Sequence, residues 1–262
     1  MKFKIKFRKN DVGIQSIFLI LTSFLGLILL MAMYIWIPSV KSYYYLQKPL
    51  ILSIFILICI LGIISALYPS KCKMLMKSGG KLNEIDELEN ELQFLDEKEE
   101  TNLKNLKRNQ IRFKGHHPDC GKFKSHTLLI KGKKYCPGCT GLSVGAFLAI
   151  LGISIYYFLN FPAIFLHISF WIGCGMVFLM LLLIIFLDLG NRLKLIANMT
   201  LVLGSLFLLV GIDAVKKNII IEFYFLILVV FWILTRMSIS EINHKIICQK
   251  CREESFCIYD KY

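Results

Sequence analysis

Six runs of roughly 20 apolar residues dominate the sequence, and each approaches the length that an α-helix needs to cross a bilayer. The chain has 262 residues, of which 56% are hydrophobic, so a soluble domain would expose far too much apolar surface. We therefore predict an all-α polytopic membrane protein with about six transmembrane helices. The first two spans belong to an N-terminal segment, 1–70, and the other four to a second segment, 142–236. The predicted spans are 12–38, 50–68, 142–161, 163–189, 195–215 and 219–234.

The charge distribution predicts the orientation. The net charge is +13, and five basic residues precede the first apolar run. Lys and Arg are retained on the cytoplasmic side of membrane proteins, which explains the basic balance better than nucleic-acid binding does. The first run is too long for a signal peptide, and no small-residue cleavage site follows it. We expect a multi-pass protein of the cell membrane with both termini in the cytoplasm, although Lys216 and Lys217 then lie outside, against the charge rule.

Two short knuckles stand out in the segment 115–141, which lies between the second and third spans. One contains His117 and Cys120, and the other contains Cys136 and Cys139. Each knuckle places two ligands on one tight turn, and zinc takes four nitrogen or sulfur ligands in a tetrahedron. Their separation is typical of a four-ligand zinc module. The sequence thus predicts a cytosolic zinc site, with iron as the alternative metal on ligand type.

The residues between the knuckles predict a short β-hairpin. A strand over 126–130 is followed by a turn signal at Lys131-Gly132-Lys133 and by a return strand from Lys134. So short a hairpin needs support, which a bound metal would supply. The alternatives are free cytosolic thiols or a disulfide. A thioredoxin-like redox motif is disfavoured, because no βαβ pattern surrounds it.

The tail over 237–262 carries four more candidate ligands. They either form a second site, or two of the cysteines join Cys136 and Cys139 in one shared cluster. The sequence favours neither arrangement. The tail residues are His244, Cys248, Cys251 and Cys257.

An acidic insertion over 71–114 separates the second span from the knuckles. Its apolar residues follow a 3-4-3 spacing, which predicts an amphipathic or coiled-coil helix over 81–108. That helix would form a homo-oligomer, dock on a protein partner, or fold onto the basic surface of its own membrane domain. The seam consists of Ile85, Leu88, Leu92 and Leu95.

A few polar residues lie in or beside the spans. Ionisable residues at membrane depth suggest function, so Asp188, Arg192 and Asn198 form a possible polar membrane site. His167 is predicted to be an interfacial or hydrogen-bonded residue rather than a ligand. The alternative pairs each acid with a nearby base: Asp188 with Arg192, and Asp213 with Lys216 or Lys217.

The Cys136-Pro-Gly-Cys139-Thr-Gly-Leu run, which enters an apolar helix, resembles the signature of a family of uncharacterised prokaryotic polytopic membrane proteins. That signature has an upstream His/Cys element, and residues 188–192 are weakly similar to a second block of the family. The similarity covers about a third of the chain, which departs from the pattern in its HHPDC element, its acidic insertion and its Cys-rich tail. The resemblance implies the architecture and no activity.

Three functional hypotheses follow. The leading one is a structural scaffold or partner-docking protein, because closed four-ligand zinc sites are usually structural. The others are a metal or redox sensor and a small-solute or ion transporter. An enzyme is the least favoured class, since the sequence contains neither His-Glu-x-x-His nor Gly-x-Ser-x-Gly.

Overall fold

A computed structural model describes most of the hydrophobic chain and a small part of the segment before the third span. The predicted helix over 81–108 lies outside the described residues. Those residues are 14–39, 46–67, 113–114, 128–130, 133–159, 161–187 and 189–253.

Within the described ranges, six helices are long and apolar enough to cross a membrane, which confirms the predicted helical membrane architecture. Their large apolar side chains are widely exposed, among them Phe18, Leu57 and Phe147. This is the pattern expected of a bundle whose solvent is lipid. The helices are α1 (Ile14–Trp36), α2 (Gln47–Leu67), α3 (Pro137–Phe158), α4 (Ala163–Phe186), α5 (Asn191–Val215) and α6 (Ile219–Glu253).

Two helix boundaries differ from the predicted ones by five residues or more. Helix α3 begins at Pro137, before the predicted start at Leu142, because proline suits the first helical position and Cys136 occupies the extended N-cap position. Helix α6 continues past Leu234 to Glu253. No Gly or Pro interrupts it, and the Thr235 hydroxyl donates to the carbonyl of Phe231 within the same helix. Cys139 of the second knuckle therefore lies within helix α3. The first part of the predicted tail, up to Glu253, continues helix α6.

A small three-stranded sheet precedes α3. Strand β3 pairs antiparallel with β2, with Leu128 opposite Tyr135, and parallel with β1. Strand β3 ends one residue before Cys136, so the sheet leads directly into the first turn of α3. The zinc-stabilised knuckle fold around these strands stays a prediction. The strands are β1 (Phe113–Lys114), β2 (Leu128–Ile130) and β3 (Lys133–Tyr135), in the order β1-β3-β2.

Helix α5 is the centre of the bundle. It packs most extensively against α4 and α3, while α1 packs on α6 and α2 on α3. Glycines allow the close approach of α5 to α4: a Cβ on Gly211 would lie 2.6 Å from the Cβ of Phe170. The largest fully buried side chains include Trp232 and Phe225 of α6 and Phe55 of α2.

Side-chain contacts define two ends of the bundle. At one end, the start of α5 contacts the middle of α6 through Asn198 and Arg236, beside the start of α3. We call this the cysteine end. At the other end, Tyr156 of α3 contacts Asp213 of α5, and the start of α6 contributes Glu222. We call this the carboxylate end.

Candidate functional site

The first turn of α3 brings the two cysteines of the second knuckle together. Cys136 is buried at the N-cap and Cys139 is half-buried in the first turn. Neither is in a disulfide, and their side chains interact. The Thr140 hydroxyl donates to the carbonyl oxygen of Cys136 at 2.9 Å. The positive end of a helix dipole favours anionic groups, so this position suits thiolates, the form in which cysteine binds metals.

An arginine from α6 contacts this first turn of α3. Arg236 interacts with the Cys139 thiol, and its Nε donates to Asn198 Oδ1 of α5 at 2.7 Å. The Asn198 amide nitrogen in turn donates to the carbonyl of Lys194. A Cβ on Gly138 would lie 2.6 Å from Arg236 Nη2, so the absence of a side chain at Gly138 admits the guanidinium. Three helices are thereby joined at the cysteine pair.

Most of the other predicted metal ligands cannot be placed against this pair. His117, Cys120 and Cys257 lie outside the described residues. The backbone of His244, Cys248 and Cys251 belongs to α6, but their side chains are not among those described. Among the described side chains, no group of three or more His, Cys, Asp or Glu residues is arranged to hold a metal. The four-ligand sites stay predictions.

The structure describes two of the three residues of the predicted polar membrane site, and these two have different surroundings. Arg192 is exposed at the start of α5, whereas Asn198 is buried on the same helix and bonds to Arg236. Asp188 lies outside the described residues. Sequence reasoning treated Arg236 only as the end of the last span. The sequence after Arg236 contains no Gly or Pro up to residue 253, and this could have predicted that Arg236 lies within a continuing helix.

A second polar cluster occupies the carboxylate end. The side chains of Asp213 and Glu222 are 1% and 0% exposed. The Tyr156 hydroxyl donates to Asp213 Oδ2 at 2.5 Å, and the Gln47 amide nitrogen donates to Glu222 Oε2 at 3.0 Å. The two carboxylates lie close enough to interact electrostatically. Sequence reasoning missed Glu222, although an acid inside the apolar run that opens α6 was a sufficient signal.

Basic and aromatic residues surround this cluster. Lys48 Nζ lies 4.2 Å from the ring centroid of Tyr156. Lys216 Nζ donates to the carbonyl of Ile37 at 2.8 Å and lies over the ring of Tyr34. The Tyr34 hydroxyl is 2.8 Å from Nδ1 of His167, which confirms the hydrogen-bonded role predicted for that histidine.

Comparison with protein-family models, curated proteins and solved structures gave no match. The resemblance to a family of uncharacterised prokaryotic membrane proteins therefore stays a prediction. The six apolar helices define the chain as a multi-pass membrane protein. Within that class, its distinguishing features are a thiol pair at one end of the bundle and a carboxylate pair at the other.

Proposed function

We propose that this membrane protein uses Cys136 and Cys139, together with His117 and Cys120, to hold a structural zinc ion in the cytosol. The metal would staple the loop before α3 to the membrane domain, as in a scaffold or a partner-docking protein. The observation that carries the proposal is the position of two neighbouring thiols, neither of them in a disulfide, at the start of a helix that packs against the centre of the bundle.

The surroundings of the thiols suit a structural role. Cys136 is buried and the first turn of α3 is joined to α5 and α6 through Arg236. Closed four-ligand sites with cysteine and histidine generally stabilise a fold, whereas catalytic zinc keeps an open position. A sheet of two- and three-residue strands has little stability of its own, so a metal at its edge would supply folding free energy.

The path of α6 favours two sites over one shared cluster. Cys248 follows Arg236 by twelve residues in one uninterrupted helix, a distance of about 18 Å at about 1.5 Å per residue. Arg236 itself contacts Cys139. We therefore propose that His244, Cys248, Cys251 and Cys257 contribute to a separate site in the tail.

Metal analysis of the detergent-purified full-length protein tests the proposal. We expect about one or two zinc ions per chain, with one lost in the Cys136→Ser/Cys139→Ser double variant. The matched control is Cys59→Ser/Cys174→Ser, which replaces two buried cysteines of the bundle core and should retain the metal. Detection of iron in place of zinc, with visible absorbance, would indicate an electron-transfer site. Wild-type protein without any metal would contradict the proposal.

A redox switch is the second candidate. Cys136 and Cys139 are neighbours in one helical turn and neither is in a disulfide, so an oxidant could join them. Mass spectrometry after a mild oxidant would then show a new disulfide between Cys136 and Cys139, or oxidation in the tail. Unchanged masses at all these cysteines, with zinc still bound, would exclude the switch and leave the structural role.

A further inference from the structure

The carboxylate end contains a buried acid that the proposed zinc module does not use. We propose that Glu222 is a proton-binding site, which takes up and releases a proton beside Asp213 at the end of the bundle opposite the cysteines. The Gln47 amide donates a hydrogen bond to one oxygen of Glu222, and the Tyr156 hydroxyl donates to one oxygen of Asp213.

Burial is the first argument. Glu222 and Asp213 are almost fully enclosed by protein, and they interact electrostatically. Two ionised carboxylates in one low-dielectric site repel each other and lose their hydration. Such a pair releases its protons in two separated steps. Over a range of pH, one proton is therefore shared by the site.

The second argument is an oxygen that lacks a partner. Glu222 Oε2 accepts from Gln47, but among the described residues the buried Oε1 has no hydrogen-bond partner. A buried acceptor without a partner is costly, and a charged one more so. Protonation of Glu222 removes the charge, and with it the larger part of the cost of burying this group.

The hydrogen bonds indicate which acid takes the proton. Asp213 accepts from the Tyr156 hydroxyl at 2.5 Å, whereas Glu222 accepts only from a neutral amide, at 3.0 Å. A buried carboxylate with a weaker donor gains more from protonation. Glu222 is therefore the acid of the pair that takes up the proton.

The cations near the pair do not remove the need for a proton. The Lys48 ammonium lies over the Tyr156 ring, and Lys216 is directed to Ile37 and Tyr34. Lys217 stands in the turn after α5 and has interactions of its own. Lys216 and Lys217 are closer in sequence to Asp213 than to Glu222, and Lys48 contacts Tyr156, which donates to Asp213. Glu222 Oε1 has no hydrogen-bond partner among the described residues, so none of the three lysines donates to that oxygen.

The position of Glu222 allows proton exchange. It is the fourth residue of α6, about 4.5 Å along the helix from its first residue, and Gln47 is the first residue of α2. The site is therefore buried by protein but close to the water at one face of the membrane. Its protonation would follow the pH of the compartment that this end faces.

Infrared difference spectroscopy of the detergent-purified full-length protein between about pH 6 and about pH 9, a range in which exposed carboxyls stay ionised, tests the inference. We expect a carboxylic-acid C=O band that disappears as the pH rises, shifts in deuterium oxide and is absent in Glu222→Gln. The matched control is Glu241→Gln, which replaces an exposed acid of the same helix and should retain the band. Asp213→Asn should retain it and move its midpoint to lower pH, because the neighbouring negative charge is lost.

Two results would overturn the inference. One is a wild-type band that persists in folded Glu222→Gln, or no such band in the wild type. The other is a midpoint that moves when sodium replaces choline at constant ionic strength, which would assign the site to a metal cation. If Glu222→Gln does not fold, an unchanged midpoint in Asp213→Asn would refute the coupling on which the site depends. Zinc content is measured separately on the folded wild type and on the Cys136→Ser/Cys139→Ser variant, so failure here and failure of the zinc proposal are distinguishable.

Discussion

Single buried polar residues hold the helices of this protein in register. Ser23 of α1 and Thr235 of α6 share a hydrogen bond of 2.7 Å, and Asn198 joins α5 to Arg236 of α6. In an apolar bundle such contacts are specific because a shift of either helix leaves a polar group without a partner.

The bond between Asn198 and Arg236 gives a test at the residue scale. We expect Asn198→Ala to lower the free energy of unfolding by about 1–3 kcal/mol, because a guanidinium nitrogen in a partly buried position loses its acceptor. Freed from Asn198, Arg236 should also shield Cys139 less well, so alkylation of Cys139 should be faster. Thermal unfolding in detergent and maleimide labelling measure the two effects.

Arg192→Ala is the control for that variant. It replaces an exposed residue on the same helix, and surface changes of this kind usually alter stability by less than about 0.5 kcal/mol. If Arg192→Ala destabilised the protein as much as Asn198→Ala, the structural role assigned to Asn198 would be refuted.

At the scale of helices, glycine positions determine how closely α4 approaches α5. A Cβ on Gly173 would lie 2.7 Å from the backbone nitrogen of Leu208 and 2.8 Å from the carbonyl oxygen of Gly204. Both contacts are with backbone, which cannot move aside as a flexible side chain does. Small residues at such crossings are what allow membrane helices to pack without a hydrophobic driving force.

Gly173→Ala should therefore destabilise the bundle by about 1–3 kcal/mol, the usual cost of overpacking. The control is Gly175→Ala on the same helix, where a Cβ would have nothing within 4 Å. That variant should leave stability unchanged or raise it slightly, since alanine favours helix. Thermal unfolding of both variants in detergent distinguishes them, and equal destabilisation would contradict the packing described here.

At the scale of the whole molecule, the lysines at the carboxylate end bear on orientation. Lys216 and Lys217 oppose the charge rule if that end faces outward. In the structure Lys216 donates to the carbonyl of Ile37, and Lys48 lies over the Tyr156 ring. These cations are held by protein contacts, so they compete less with the basic N-terminus in setting the topology.

We accordingly expect both termini in the cytoplasm. Green fluorescent protein fused to the C-terminus of the full-length chain should fluoresce, and alkaline phosphatase fused there should be inactive. The control is a phosphatase fusion between α3 and α4, which should be active because that turn faces the other side. The opposite pattern in both fusions would reverse the orientation and place the cysteine end outside the cytoplasm.

Much of the architecture could be predicted from the sequence alone. The length and apolarity of the runs predicted six helices, because a backbone in lipid must satisfy its hydrogen bonds within each segment. The Cys-x-x-Cys spacing likewise predicted that Cys136 and Cys139 meet, since residues three apart on one turn are neighbours. These are local properties, which the order of residues determines by itself.

The partners of the buried polar groups were decided by the tertiary structure. Asn198 bonds to Arg236 instead of lying with Arg192, and Glu222 lies beside Asp213 with an amide from Gln47. Gln47 and Glu222 are 175 positions apart. Such pairings depend on which helices are adjacent and how each is rotated about its axis. Packing at small residues sets both, and no periodicity within a single run records them.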